Sequence, residues 1–498
     1  KITRSFRLKT YFNSMFSRLF LVMLCGHSSS LCAEALNMIV IMTDDQGRWS
    51  LEDYDERIDT PNLSHLAAQG IRFDQAISPT PVCSAARASF LTGKTASQHG
   101  VHDFLSDSDS TSDKWLEGET LISEVLSGQG YKVGLFGKWH ATTQSWTPLR
   151  GYDRWLTYDE RQASWINQYQ HSGTVYFSSD GDRISHTGVQ AHFLSEEAIR
   201  FIDERGNAPF AAFINFVEPH FPFEGLPERL VERYRGVAAK IIAAGDSSSL
   251  EQMAKPPTTT IAIASEHQEK LAQYLAAVTL IDEQVGRILD ALMGRNLLDK
   301  TLIVFTSDHG HLTGQYGIYG KANATVPQNF YRESINIPLI IYGPETIVSP
   351  GQVRHEFVNL YDLYPTLVDL SGANEILSHY TGPGKSLRAL LTGQRMTQFR
   401  DFQISEMGNA RMIHDGRWKL IQYYSRDTKE PPSEVWYDLS HPLGERKYSQ
   451  PPSSAQQAHL RNGLTAFFNE YESEEFSGRR IWDLPKHNAM EPWRMIDE

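Results

Sequence analysis

Four short apolar runs in this chain each end in charged or imidazole side chains, and that shared ending limits the fold more than any other feature. Asn37 to Thr43 (NMIVIMT) stops at Asp44-Asp45, and Tyr131 to Phe136 (YKVGLF) stops at Gly137-Lys138-Trp139-His140. Phe210 to Phe216 (FAAFINF) is followed by Glu218-Pro219-His220, and Thr301 to Thr306 (TLIVFT) stops at Ser307-Asp308-His309-Gly310. Helix-like stretches lie between them, and near-continuous apolar runs alternating with helices describe parallel strands covered on both faces. In open α/β sheets ligands bind beyond the carboxyl ends of the strands. A single Lys-x-His or Asp-His after a strand reads most simply as a solvated turn. Four such endings together predict one composite site along one edge of a central, mostly parallel sheet.

The clearest helix runs from Glu266 to Met293, where apolar residues recur at spacings of three and four, as core packing requires. Ser106 to Glu119 and Gly236 to Ser265 read as inserted irregular segments, the kind of long loop that carries selectivity or acts as a linker. Beyond about residue 395 short strand-like runs crowd together, at Phe402 to Glu406, Arg411 to His414, Arg417 to Tyr424 and Val435 to Leu439. Asp415-Gly416 between two of them signals a two-residue hairpin. The expected organisation is a leader over 1–35, a catalytic domain over 36–395 and a C-terminal α+β subdomain over 396–498, with a small antiparallel sheet and a helix containing Ala455 to Tyr471.

The 498 residues are 40% hydrophobic and 21% charged, a balance that excludes a disordered or multi-span membrane chain. A net charge of −13 argues against a general nucleic-acid binder, so an anionic substrate has to meet a local basic site. At the start, Lys1, Arg4, Arg7, Lys9 and Arg18 precede the apolar run Leu19 to Cys25 and then Ala33-Glu34-Ala35. That is the layout of a secretory signal, with an apolar run too short to span a membrane, and it predicts a secreted or periplasmic protein. Cleavage after Ala35 removes Cys25 and Cys32. Cys83, then alone, cannot be half of an internal disulfide, so it is either buried and inert or chemically used.

The surroundings of Cys83 favour use. Cys83-Ser84-Ala85-Ala86-Arg87 sits before or at the first turn of a small-residue helix, where backbone amides favour an anion. Arg87, four residues on, reaches the same face. With Lys138, His140, His220 and Lys321 an anion has several donors, whereas Asp44, Asp45 and Asp308 repel it unless a cation lies between.

Cys83-Ser84-Ala85-Ala86-Arg87 followed by Leu91-Thr92-Gly93-Lys94 resembles the signature of the formylglycine-dependent sulfatases of the alkaline-phosphatase-like superfamily. In that signature Cys-x-(Pro or Ala)-x-Arg directs oxidation of the cysteine to an aldehyde. Thr43-Asp44-Asp45-Gln46, Gly137-Lys138-Trp139-His140, Pro219-His220, Thr306-Ser307-Asp308-His309-Gly310 and Gly317-Ile318-Tyr319-Gly320-Lys321 follow in that family's order. So do Asp362-Leu363-Tyr364-Pro365-Thr366 and Trp436-Tyr437-Asp438-Leu439. The resemblance implies an α/β sandwich with a smaller C-terminal antiparallel sheet, and a sulfuric ester hydrolase acting on a sulfated carbohydrate. It implies a divalent cation held by Asp44, Asp45, Cys83, Asp308 and His309, usually calcium. Arg87, Lys138, His140, His220 and Lys321 then hold the sulfate and manage protons, and a formylglycine-generating enzyme acts on Cys83. The hydrated aldehyde is the implied nucleophile, with His220 or Lys321 protonating the leaving alcohol and His140 as the later base. Ala85 replaces the commoner proline, and His309 stands where many members have asparagine. Imidazole suits manganese or zinc better than calcium, so the donors alone leave the ion open. A phosphonate monoester or phosphodiester hydrolase of the same superfamily is the alternative enzyme, and a non-catalytic binder of sulfated glycans is the alternative of another class.

Overall fold

The structure is a computed structural model that describes residues 36–106, 113–159, 161, 170–243, 264–394, 396, 398–441 and 444–495. The expected leader and cleavage site lie outside the described residues, as do residues 107–112 and 244–263 of the two expected insertions. No helix among the described residues is long and apolar enough to cross a membrane.

The four apolar runs form strands Asn37–Thr43, Lys132–Gly137, Phe210–Asn215 and Thr301–Ser307. They are neighbours in the middle of a ten-stranded sheet, in the order 301–307, 37–43, 210–215, 132–137. Every pairing among them is parallel, with Val40 opposite both Val304 and Phe213 and Leu135 opposite Phe213. Four carboxyl ends therefore meet at one edge, as the repeated endings require. Beyond 301–307 the sheet continues through Leu339–Tyr342, Ile71–Phe73 and Gln352–Arg354, and beyond 132–137 through Arg154–Tyr158, Thr174–Ser179 and Asp182–Thr187. Antiparallel pairs appear only toward these flanks.

Both faces of the central strands are buried, which explains runs with no polar alternation. Met38, Val40 and Met42 pack into one apolar cluster with the Cys83 helix, while Ile39 and Ile41 pack into the other with the long helix Ala264–Gly294. The expected helix over 266–293 lies inside that element. The second expected insertion starts later than its composition suggests, because the helix Glu228–Ala243 continues through Gly236 by burying Ala238 and packing Val237 and Ile241 on the core. Small residues after Gly236 masked that apolar stripe in the sequence.

After residue 395 strands Gln403–Met407, Ala410–His414, Trp418–Tyr423 and Ser433–Asp438 make a four-stranded antiparallel sheet in chain order. Asp415-Gly416 lies in the turn between the second and third, and Gly416 has φ +98°. Helix Ser454–Tyr471 covers this sheet through Leu460, Leu464 and Phe468. Met407, Ala410, Met412, Ile421 and Tyr437 join the same apolar cluster as the Cys83 helix, so residues 36–498 form one compact unit.

Candidate active site

Strand ends, and the turns directly after them, aim the side chains of the candidate site. Asp44 and Asp45 follow 37–43, where Asp45 turns the chain at φ +66°, a conformation a short polar side chain tolerates. The Asp44 amide donates to Glu218 O at 3.3 Å and the Asp308 amide to Thr43 O at 3.2 Å, so three neighbouring strand ends stay in register past the sheet. At Gly137 (φ +106°) an added Cβ would lie 2.1 Å from Asn215 O, so only glycine permits the turn that presents Lys138 and His140. Cys83 opens a ten-residue helix, Cys83–Thr92, all of it buried, and its amide-rich end favours negative charge at that position.

The Cys83 sulfur is the centre of the cluster. Lys321 Nζ lies 2.9 Å from it, His309 Nε2 3.4 Å and Asp44 Oδ1 3.4 Å. Burial raises the thiol pKa, but Lys138, Lys321, His309 and His140 together hold it well below the usual thiol range. Position 83 therefore stabilises an anion. Lys138 pairs with Asp44, and Lys321 Nζ is 2.8 Å from Asp45 Oδ1. Arg87 donates from Nε to Asp308 Oδ2 at 3.0 Å and from one terminal nitrogen to Lys138 O at 3.0 Å.

Three carboxylates share this buried space. Burial raises the pKa of Asp44 and of Asp45, yet neighbouring cations outweigh it: Lys138, His220 and Arg87 for Asp44, and Lys321, His220 and His311 for Asp45. Asp308 is pushed up to about 6, by burial and by Asp44. Burial lowers the pKa of His309, but Asp308 and Cys83 bring it to about 9. For Lys321 burial is likewise outweighed, by Asp45, Cys83 and Asp44, and its pKa rises well above the ordinary value.

Such crowding suits a divalent cation. Asp44, Asp45, Cys83 and His309, all buried, offer ligand atoms within 4.8 Å of one another. Asp45 Oδ2 makes no directed hydrogen bond, although His311 Nδ1 is 3.1 Å away and His220 Nε2 3.8 Å. A buried carboxylate oxygen with no directed hydrogen bond, beside three other donors, fits a hard cation's ligand set. Asp308 stands beside this group with its oxygens already engaged, by Arg87 and by the amides of His309 (2.9 Å) and Asp45 (3.3 Å).

The remaining expected residue, His140, interacts with the thiol and donates from Nε2 to Leu105 O at 3.0 Å. Three features escaped the sequence reading. His311 faces Asp45 and stacks near Tyr274, with only its place two residues past His309 to suggest it. Tyr274 OH donates to Asp45 O at 2.8 Å from the middle of the long helix, and the Leu105 backbone contacts both His140 and Ser84. Neither contact has a motif.

A family model described as Sulfatase matches residues 36–373. The chain belongs to the sulfatase family. A sulfatase is a sulfuric ester hydrolase, and the buried anion site with its cation-ready carboxylates suits that chemistry. A second model, described as the C-terminal part of N-sulphoglucosamine sulphohydrolase, matches residues 314–468. The sulfatase is 28% identical over 350 residues to an ulvan-active sulfatase of Formosa agariphila, a match covering 67% of this chain and 61% of that one. It therefore spans less than two thirds of that relative's length. It is 25% identical over 428 residues to an N-acetylglucosamine-6-O-sulfatase of Bacteroides thetaiotaomicron, covering 72% of each. Among solved structures, a protein in complex with its substrate D-glucosamine-2-N,6-O-disulfate superposes with a TM-score of 0.72 at 22% identity, over 89% of this chain and 99% of that one. The phosphonate monoester hydrolase of Agrobacterium radiobacter superposes at 0.63 and 21%, over 87% and 94%. These two likenesses establish the shared fold.

Proposed function

We propose that this sulfatase is an exported enzyme that releases inorganic sulfate from a sulfated carbohydrate, using an aldehyde made from Cys83 by a formylglycine-generating enzyme, and calcium. The observation that carries the reading is the convergence of Lys321, His309 and Asp44 on one buried sulfur at a helix start. A structural cysteine packs as a small hydrophobe and needs none of these partners. Export rests on the leader-like segment at residues 1–35.

Asp44, Asp45, Cys83 and His309 would hold the cation, with Asp308 beside them, a reading supported by the closeness of their ligand atoms. When present, the hydrated aldehyde supplies the attacking hydroxyl and the cation supplies Lewis-acid charge. The chain's own residues do the rest. Arg87 and Lys138 set positive charge around the sulfuryl oxygens, fixed in place by Asp308 and Asp44 and so needing no rearrangement as charge develops. As the ester S–O bond breaks, the alcohol oxygen takes a proton from His220 Nε2 or Lys321 Nζ, both on the Asp45 side of the cluster. His140 has Nε2 committed as a donor to Leu105 O, so the neutral ring keeps its lone pair on Nδ1 and accepts a proton there in the step that frees sulfate. One water is consumed overall.

A carbohydrate is supported by the two saccharide-acting relatives, and by Phe221. This exposed ring stacks on His220 at 5.1 Å with planes 17° apart, and offers an aromatic face beside the proton donor. The test has two parts. The mass of the peptide containing Cys83, from protein made with a formylglycine-generating enzyme, is expected to show the aldehyde. Sulfate release from sulfated oligosaccharides, compared with turnover of matched phosphonate monoesters and phosphodiesters, is expected to favour sulfate. An unmodified cysteine, dominant phosphonate or phosphodiester turnover, or undiminished turnover by Cys83→Ala would overturn the reading.

A further inference from the structure

One residue joins the proposed nucleophile position to the proposed base. The Leu105 amide donates to Ser84 Oγ at 2.9 Å, next to Cys83 in the chain, and the Leu105 carbonyl accepts from His140 Nε2 at 3.0 Å. Leu105 lies in the loop that follows the short helix Ala96–His99, and among the described residues no strand pairs with it. Its neighbours on either side are held instead by the C-terminal tail. Asn488 Nδ2 donates to Phe104 O at 2.9 Å, and the Ser106 amide donates to His487 O at 3.1 Å.

Further contacts tie the same two segments together. His487 Nε2 lies 3.0 Å from Gly100 O, and His102 Nε2 lies 2.7 Å from Phe476 O. Both tail side chains are buried, and the tail is itself braced: the His487 amide donates to Glu491 Oε1 at 2.7 Å and the Met490 amide to Asn488 Oδ1 at 2.8 Å. Residues 487–491 lie beyond the reach of both family models, which end at residues 373 and 468.

We propose that this tail is a positioning element for His140, with Asn488 as its principal side chain. By clamping Phe104 and Ser106 it fixes the Leu105 carbonyl, and the carbonyl fixes both the orientation and the tautomer of the imidazole. The tail thus acts on the step that frees sulfate, whereas the proton for the leaving alcohol comes from groups beside Asp45. The proposal rests on the function proposed above.

Asn488→Asp keeps the oxygen that serves Met490 and replaces the amide that donates to Phe104 O, and that also faces Asp103, with an oxygen. The fully matured, calcium-loaded variant is mixed rapidly with 4-nitrophenyl sulfate, and nitrophenol and sulfate are followed separately. The expected result is a fast nitrophenol phase of about one equivalent at the wild-type rate, then turnover slowed about tenfold or more, within the factor of ~10² to 10⁴ a positioned base contributes. KM is expected to stay level or fall. Asn488→Ala is expected to show the same split, and Asn488→Gln, which keeps a donor, to recover part of the slow phase. Ser473→Ala, which loosens the tail at Ser97 O instead, is expected to behave as wild type. Equal slowing of both products, as from a smaller folded fraction, or wild-type kinetics in Asn488→Asp would overturn the tail's role alone. A matured wild type that releases no sulfate from any ester would overturn both proposals.

Discussion

Asp103 is fully buried in the loop that carries Leu105, and its replacement by asparagine tests how the protein manages charge there. Its Oδ1 accepts the Phe104 amide at 2.8 Å and faces Asn323 Nδ2 at 3.4 Å, while Oδ2 makes no directed hydrogen bond. Burial, with a smaller contribution from Glu491, pushes the carboxyl from 3.8 up to about 7, against the hydrogen bonds from Phe104 and Asn488. The pKa is higher in the folded state than in the unfolded one. Below pH 3.8 both states are protonated and Asp103 costs nothing; the cost grows as pH rises and levels off above 7. At 1.36 kcal/mol per unit, about three units make roughly 4 kcal/mol at pH 8, and only about 1.5 kcal/mol has appeared by pH 5. An unfolding entropy of ~2.1 cal/mol/K per residue, over roughly 460 residues, converts 1 kcal/mol into about 1 °C. Asp103→Asn removes the ionisation, so calorimetry is expected to show Tm raised by about 4 °C at pH 8 and by less than half that at pH 5. An equal shift at both pH values, or none at pH 8, would refute the reasoning, because the carboxyl would then ionise in the folded protein as easily as in the unfolded chain.

Arg87→Ala leaves Asp308 buried beside Asp44 without its guanidinium, and breaking a buried pair from one side costs about 3–5 kcal/mol. Calorimetry is expected to show Tm lower by a few degrees with turnover lost, while Arg87→Lys, which keeps the charge and loses the fork, retains more stability than activity. Chelation sets Asp44, Asp45 and Asp308 against one another without a cation: sulfate release is expected to stop and Tm to fall, and titration calorimetry with calcium, manganese and zinc reports which ion restores both. Phe221→Ala is expected to raise KM for a sulfated oligosaccharide about 2- to 10-fold, the equivalent of ~0.5–1.5 kcal/mol of ring contact, and to leave a small alkyl sulfate unaffected. Steady-state kinetics on the two substrates checks the difference.

The central sheet and most of the candidate site were legible in the sequence. Runs such as NMIVIMT and TLIVFT announce strands buried on both faces, and side chains fixed at the end of a strand move with it, so finding the strands also located Asp44, Asp45, Lys138, His220, Asp308 and His309. Cys83 and Arg87 were legible because four residues of helix put them on one face. The flanking hairpin of residues 174–187 was not, since its strands alternate in polarity and lie half exposed at the sheet edge.

Spacing in the chain says which residues travel together; it does not say which distant segments touch. That His311 approaches Asp45, that Asp308 is taken up by Arg87, and that the tail near Asn488 holds the loop before His140 were decided only by the packing of strands and loops far apart in sequence. The last case rests on backbone carbonyls and amides, which every residue has, and so no pattern of side chains could have signalled it.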